Sequence, residues 1–206
     1  MKIFNQKKKF LYLVSPNHIK NNFYKDLELV LALNKTFFFQ LRLKKIPFKK
    51  KIFIGKKIKK ICKNYKVKFI INDDPFLAKK IGADGCHLGQ KDININKARK
   101  ILGKKIIGIT CHNSIKLAKK AIENKADYIA LGAFFSSKTK KIKYKAHISI
   151  LKKIKKFSKI PIVVIGGINK DNYKNLLLNK ANFLAISGYI FNNIKYKPFE
   201  ATKKLK

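Results

Sequence analysis

One pattern occurs eight times along the chain: a short apolar run followed by a more polar stretch, with about 25 residues from one run to the next. Within the runs, apolar residues do not alternate with polar ones, which is typical of strands covered on both faces in a parallel sheet. The runs that we interpret as strands are Phe10–Ser15, Phe37–Leu43, Lys68–Asp73, Gly85–Gly89, Ile106–Cys111, Tyr128–Phe134, Ile160–Gly167 and Phe183–Gly188.

The stretches between these runs have helical periodicity, as residues 26–33 and 114–122 illustrate. Eight strand–helix units in 206 residues predict an α/β fold, a closed single-domain (β/α)₈ TIM barrel near the lower size limit of that architecture. An open doubly wound sheet is the alternative, but no Gly-x-Gly-x-x-Gly follows the first run. We expect one domain over residues 1–206, with the barrel core at about 10–191 and a C-terminal helix at about 198–205.

The chain is strongly basic, with a formal net charge of +40. Such a charge would suggest a polyanionic partner, but only Arg42 and Arg99 are arginines, and the lysines are spread along the whole chain. Nucleic-acid sites usually rely on arginine, so we interpret the lysines as solvation of the outer helical faces. We expect small-molecule substrates and neither nucleic acid nor a membrane as a partner.

The three cysteines, Cys62, Cys86 and Cys111, lack metal-ligand spacing and are predicted to be small buried side chains in a reducing compartment. The basic start precedes an apolar run that is too short for a signal peptide, and no segment approaches 18 apolar residues. A soluble cytoplasmic protein is therefore expected.

Two carboxylates follow neighbouring predicted strands: Asp73 comes directly after the third and Asp92 shortly after the fourth. Neighbouring strands lie about 4.8 Å apart, so both groups could reach one divalent cation, most plausibly Mg²⁺. The alternative is that Asp73 or Asp74 caps one helix and Asp92 caps another.

Further polar residues lie where the other strands end, which is the catalytic end of such a barrel. Alternation places Gln40, Arg42 and Lys44 on one face of the second strand, pointing into the mouth. The third to sixth strands then offer amide, hydroxyl and ammonium groups, namely Asn72, Thr110, Ser137, Thr139 and Lys140.

The last two strands end in Gly166-Gly167 and in Ile186-Ser187-Gly188, where backbone N–H groups can approach an anion. A simple turn is the alternative for the Gly-Gly pair. Together the strand ends predict two anion sites, one rich in cations and metal-assisted, as suits a pyrophosphate, and one a backbone cradle, as suits a monophosphate.

These residues resemble the thiamine phosphate synthase family, which joins a pyrimidine pyrophosphate to a thiazole phosphate. The match runs from about Leu11 to Phe191. Its motifs here are Gln-Leu-Arg-x-Lys at 40–44, Ile-Asn-Asp at 71–73, Gly-Ala-Asp-Gly-x-His-Leu-Gly-Gln-x-Asp at 82–92, Thr-Lys at 139–140 and Ile-Gly-Gly-Ile at 165–168.

The resemblance implies Mg²⁺ on Asp73 and Asp92 and the aminopyrimidine on Gln40. It implies that the pyrophosphate binds to Arg42, Lys44, Asn72 and Lys140. Hydroxyl contacts would come from Thr110, Ser137 and Thr139, and the thiazole phosphate would bind to Gly167 and the backbone of Ile186 and Ser187. The four residues expected to act catalytically are Arg42, Lys44, Thr110 and Lys140. The family's reaction is dissociative: pyrophosphate leaves first, and the thiazole nitrogen then attacks the pyrimidine methylene cation.

Some positions depart from the family or have a structural interpretation. Many members have Ser, Pro and Pro-Thr where this chain has Thr110, Ala133 and Ser136-Ser137, and Tyr189 adds bulk to the expected thiazole pocket. Other polar residues near the strands are expected to be structural or, for the histidines, to line the pyrimidine pocket; they are His87, His112, Asp84 and Asp127.

Three other functions compete with the synthase. A thiazole tautomerase shares the fold but has no need of the pyrophosphate and metal groups. A non-catalytic phosphate or nucleic-acid binder would bind less tightly as salt rises and would be indifferent to Asp73. An enzyme with drifted specificity is the third alternative.

Overall fold

The computed structural model describes residues 9–20, 22–136 and 144–205. Each of the eight predicted runs contains a strand: β1 Leu11–Val14, β2 Thr36–Leu41, β3 Lys68–Asn72, β4 Gly85–Leu88, β5 Ile106–His112, β6 Tyr128–Gly132, β7 Ile162–Ile165 and β8 Phe183–Ile186. Every strand except β5 ends one or two residues before its apolar run does, because the last residues of these runs already form the loops at the mouth.

The helices follow the strands in alternation. They are α1 Phe23–Ala32, α2 Phe48–Asn64, α3 Pro75–Ile81, α4 Ile95–Leu102, α5 Ile115–Glu123, α6 Ser149–Lys155, α7 Tyr173–Leu178, α8 Gly188–Phe191 and α9 Pro198–Lys203. The last of these, α9, packs against α1 and α8 and so closes the outer layer beside β1. No helix in the described part of the chain is long and apolar enough to span a membrane.

The strands form one closed barrel in sequence order, and β1 pairs in parallel with β8 to complete it. This confirms the predicted single-domain (β/α)₈ barrel. Strand residues alternate between an outer layer packed against the helices and an inner cluster that fills the barrel. The inner cluster is aromatic at one level, where Tyr12, Phe38 and Tyr128 lie in mutual ring contact.

A repeated turn closes the amino-terminal end of the barrel. Asp84, Asp127 and Asn182 each precede an even-numbered strand, and the side-chain oxygen of each accepts a hydrogen bond of 2.8–2.9 Å from a backbone N–H near the start of the preceding strand. Asp84 and Asp127 thus lie at the rim opposite the mouth, where they hold strands together, as expected of structural residues.

The cysteines Cys62, Cys86 and Cys111 are buried free thiols. Burial raises the pKa of all three thiols, that of Cys111 to about 12, so they remain protonated near neutral pH.

Candidate active site

Asp73 and Asp92 lie near the carboxyl ends of β3 and β4, close enough that each carboxyl group shifts the pKa of the other. Neither caps a helix: Asp74 caps α3 by accepting from Leu77 N at 2.8 Å, and Asn94 caps α4 by accepting from Lys97 N at 2.9 Å. The capping alternative is therefore confirmed for Asp74 and wrong for Asp92, and Asp73 and Asp92 are both left without a capping role.

A lysine and a backbone amide hold the two carboxylates in place. Lys44 Nζ lies 2.8 Å from Asp73 Oδ2, and Gly89 N donates to Asp92 Oδ2 at 2.7 Å. Asp73 has a φ of 65°, in the left-handed region that few residues other than Gly, Asn and Asp enter readily. The backbone thus turns sharply after β3 and directs this carboxylate back toward the mouth.

The two carboxyl groups differ in acidity. Partial burial raises the pKa of Asp73, but the hydrogen bond and charge of Lys44 more than offset this and hold the pKa below its usual range. Burial, reinforced by the neighbouring Asp73 carboxylate, raises the pKa of Asp92 above its usual range. Such adjacent like charges are relieved by a bound cation.

The donor set suits Mg²⁺. Among residues 9–20, 22–136 and 144–205, no group of three or more His, Cys, Asp or Glu side chains is arranged to hold a metal. Mg²⁺ does not require one, because it is commonly bound by one or two carboxylates and completes its octahedron with waters and substrate phosphate oxygens. Asp73 and Asp92 are therefore a sufficient protein contribution.

An open cavity of about 380 Å³ lies beside Asp73. Its polar lining combines three lysines, Lys44, Lys45 and Lys51, with Asn72 and the two carboxylates Asp73 and Asp74. Lysines beside carboxylates are a combination suited to a metal-bound polyphosphate.

Of the three residues predicted on one face of β2, only Gln40 lies in the strand, because β2 ends at Leu41 and Arg42 and Lys44 follow it. Gln40 is buried in the barrel, whereas Arg42 lies just beyond the strand, with its guanidinium donating to Asn17 Oδ1 at 3.0 Å and its backbone N–H to Ser15 Oγ at 2.9 Å. The loop that follows β1 therefore orients Arg42.

Thr110 joins a hydrogen-bonded chain that sequence reasoning did not find. Its hydroxyl lies 2.8 Å from His87 Nε2, and His87 Nδ1 lies 2.9 Å from the hydroxyl of Tyr128, which is 2.8 Å from that of Tyr12. Burial lowers the pKa of His87 to about 4. One sequence signal could have revealed this hydrogen-bonded chain. It is a histidine on the inward face of β4, two strands away from a tyrosine on the inward face of β6.

The second predicted anion site lies between β7 and β8. Gly166 and Gly167 have φ values of 106° and 59°, and a Cβ at Gly167 would overlap the carbonyl oxygen of Ser136, so glycine is required there. Ile186 ends β8 with its side chain in the outer layer, which leaves its backbone for a ligand, and Ser187 Oγ donates to Ser15 O at 3.4 Å. The predicted residues Ser137, Thr139 and Lys140 lie outside the described residues.

The fold and this arrangement define a TIM-barrel protein whose catalytic end combines a carboxylate pair with a cationic cavity. A family model for thiamine monophosphate synthase matches residues 11–190. The chain belongs to this family, and with it to the transferases.

Individual relatives agree. The chain is 68% identical over 200 residues to the thiamine-phosphate synthase of Pelagibacter ubique, covering 97% of each chain, and 40% identical over 188 residues to that of Erythrobacter litoralis, covering 88% of each. The solved thiamine phosphate pyrophosphorylase from Pyrococcus furiosus has a TM-score of 0.84 at 29% identity and covers 96% of this chain and 94% of that one. A 3-hexulose-6-phosphate synthase, 14% identical with a TM-score of 0.64, shares the fold.

Proposed function

We propose that the chain condenses hydroxymethylpyrimidine pyrophosphate with thiazole phosphate to give thiamine phosphate and pyrophosphate, by Mg²⁺-assisted dissociative substitution at the mouth of the barrel. The observation that carries the proposal is the pair Asp73 and Asp92, which cap no helix and lie beside Lys44 and a cationic cavity. Membership of the family supplies the reaction.

The protein contributes positioning and electrostatic stabilisation. Arg42, Lys44 and Asn72 bind the pyrophosphate, and Asp73 and Asp92 hold Mg²⁺, which when bound neutralises part of the leaving charge. The C–O bond to the pyrimidine methylene breaks with its electron pair on the pyrophosphate, and the lone pair of the thiazole nitrogen then forms the C–N bond. Gln40 orients the aminopyrimidine, whose amino group delocalises the positive charge in between, so no general base is needed.

The remaining roles follow from the family resemblance and from the strand ends. The thiazole phosphate binds to Gly167 and to the backbone of Ile186 and Ser187, which lie at the ends of β7 and β8. Ser137, Thr139 and Lys140 complete the pyrophosphate contacts from the segment outside the described residues. The enzyme acts in the cytoplasm on these small molecules, which its three free thiols support.

Release of pyrophosphate tests the proposal. The wild type should release it only when both substrates and Mg²⁺ are present. Asp73→Asn keeps a side chain that tolerates the left-handed backbone but loses the charge, and should lower kcat by about 100-fold or more, the scale of one lost electrostatic contact. Glu28→Gln, which removes a carboxylate from the exposed face of α1, is the matched control and should be unaffected.

The alternatives predict different results. A tautomerase would bind thiazole phosphate but release no pyrophosphate in the presence of both substrates. A charge-driven binder would turn over nothing, and its affinity would fall steeply with salt while ignoring Asp73. Either outcome would replace the synthase proposal.

A further inference from the structure

Four polar side chains form a single line inside the barrel. The line runs from Tyr12 through Tyr128 and His87 to Thr110 at the mouth, with successive distances of 2.8, 2.9 and 2.8 Å. Tyr12 and Tyr128 are only 2% and 0% exposed and belong to the inner cluster, whose other members are apolar. This line of hydrogen bonds therefore connects the buried interior of the barrel to Thr110, a proposed substrate contact.

A missing side chain makes the line possible. Gly108 of β5 pairs with His87 of β4 on one side and with Tyr128 of β6 on the other. A Cβ at Gly108 would overlap the Tyr128 ring, so glycine lets this ring cross β5 and stack on His87, with the ring centroids 5.6 Å apart and the planes at 16°. Because β5 has no side chain at this position, Tyr128 and His87 contact each other across it.

The direction of the hydrogen bonds follows from the inner end of the line. Within the described chain, the Tyr12 hydroxyl has one hydrogen-bonding partner, the hydroxyl of Tyr128. Because a buried hydroxyl hydrogen without an acceptor is costly, Tyr12 donates to Tyr128. Tyr128 must then give its own hydrogen to His87 Nδ1, the second atom within reach.

The same hydrogen-bond argument determines which ring nitrogen of His87 carries the proton. Since Nδ1 accepts, the neutral ring carries its hydrogen on Nε2 and donates to Thr110 Oγ1. An imidazolium would donate from both nitrogens and reverse the tyrosine pair, which would leave the hydrogen of Tyr12 without an acceptor. The opposite neutral tautomer has the same defect.

We propose that His87 is a positioning residue: the Tyr12–Tyr128–His87 chain holds the Nε2–H tautomer, so that the Thr110 hydroxyl is an acceptor on its inner side and must present its own hydrogen to the ligand. The ligand atom that Thr110 meets is then a hydrogen-bond acceptor, namely an anionic phosphate oxygen. The tautomer rests on the geometry alone, whereas the identity of that anion rests on the proposed function.

The tautomer is measurable without any substrate. Long-range ¹⁵N–¹H correlation spectra of the ¹⁵N-labelled protein distinguish the two neutral forms and the cation, and the His87 signals are identified by their absence from His87→Gln. The proposal predicts the Nε2–H form in the wild type. The Nδ1–H form or a charged ring at neutral pH would overturn it, whatever the enzyme's activity.

The two tyrosines provide a matched pair of variants, because each change to Phe removes one buried hydroxyl. In Tyr12→Phe the Tyr128 hydrogen still needs His87 Nδ1 as its acceptor, so the tautomer should not change. In Tyr128→Phe the donor to Nδ1 is lost, but an Nδ1–H would have no acceptor, so the Nε2–H form should persist while the Nδ1 resonance moves to the position of a nitrogen that accepts no hydrogen bond. An unchanged Nδ1 resonance in a folded Tyr128→Phe would overturn the relay.

Kinetics separate positioning from a general structural effect. Thr110→Val keeps the shape of the side chain but removes the donor, and should weaken inhibition by pyrophosphate with Mg²⁺ by about tenfold or more, as for a lost hydrogen bond to a charged group. If His87 acts through Thr110, adding His87→Gln to Thr110→Val should change this inhibition little further. Independent, additive losses would contradict the proposal, and a wild type without synthase activity would refute the proposed function while leaving the tautomer result intact.

Discussion

The carboxylates Asp73 and Asp92 lower the stability of the folded protein, although the proposed site needs them. Partial burial raises the pKa of Asp92, and the neighbouring Asp73 carboxylate, which repels it when both are ionised, raises it further. Lys44 neutralises only one carboxylate of the pair, Asp73, with which it forms an ion pair. We therefore expect the site to oppose folding in the absence of a cation.

The variant Asp92→Asn tests this expectation. Its amide oxygen can still accept from Gly89 N, so at neutral pH without Mg²⁺ the free energy of unfolding should rise, by no more than about 0.5 kcal/mol after solvent screening. Because the folded state has the higher pKa, the ionised form costs stability in full above it, and the gain should shrink as the pH falls through that pKa and vanish below the lower pKa of the unfolded state. Denaturant unfolding at several pH values measures the effect.

Two results would contradict this view of the pair. One is a loss of stability in Asp92→Asn at neutral pH, which would mean that the carboxylate stabilises the fold. The other is a gain that persists in strong acid, where the wild-type carboxyl is already neutral.

Sequence motifs and strand register identified the carboxylates and cations of the candidate site, because these residues come just after the predicted strands. They did not identify the Tyr12–Tyr128–His87 chain. Each of these residues taken alone reads as barrel core, and only the closure of the barrel, with Gly108 between them, brings β1, β4 and β6 together at one level.

At the scale of elements, the turns before β4, β6 and β8 repeat one design. Each has a residue with positive φ, namely Gly82, Lys125 or Lys180, then Ala, then Asp or Asn. Asp84 and Asp127 pair with Lys68 and Arg99, but the third turn has the neutral Asn182, which accepts from Lys155 Nζ at 3.1 Å. The third turn thus lacks the charge of the other two.

The variant Asn182→Asp should restore that charge. Burial and the nearby Lys180 lower the pKa of Lys155, and a carboxylate within reach would favour its charged form. Because position 182 is exposed, the expected gain in the free energy of unfolding is only about 0.5 kcal/mol, measured in denaturant at low salt. The gain should disappear in a Lys155→Gln background; a gain of equal size there would rule out the pairing.

Sequence periodicity predicted all eight strands because each is covered on both faces and therefore reads as an apolar run. It placed their ends less well, since residues such as Leu43 and Phe134 remain apolar after the strand has ended and line the mouth or pack on the outer layer. The third rim turn also escaped notice, because Asn182 does not share the acidic side chain by which Asp84 and Asp127 were noticed.

At the scale of the whole molecule, the net charge of +40 acts on every folded contact at once. Lysines spread over the outer surface repel one another, and this repulsion is weaker in the more expanded unfolded chain. Raising NaCl from about 0.05 to 0.5 M shortens the screening length below about 10 Å and should raise the free energy of unfolding. Urea unfolding, which keeps ionic strength under control, measures it; lower stability at the higher salt would mean that attractive pairs dominate.

We expect Asp73, Asp92 and the neighbouring cations to form one site for a metal-bound pyrophosphate. Calorimetric titration of pyrophosphate into the protein, with and without Mg²⁺, tests it most directly. We expect binding that requires Mg²⁺ in the wild type and is lost in the double variant Asp73→Asn with Asp92→Asn, while Glu28→Gln binds normally. Equal binding without Mg²⁺, or binding that survives in the double variant, would contradict the claim.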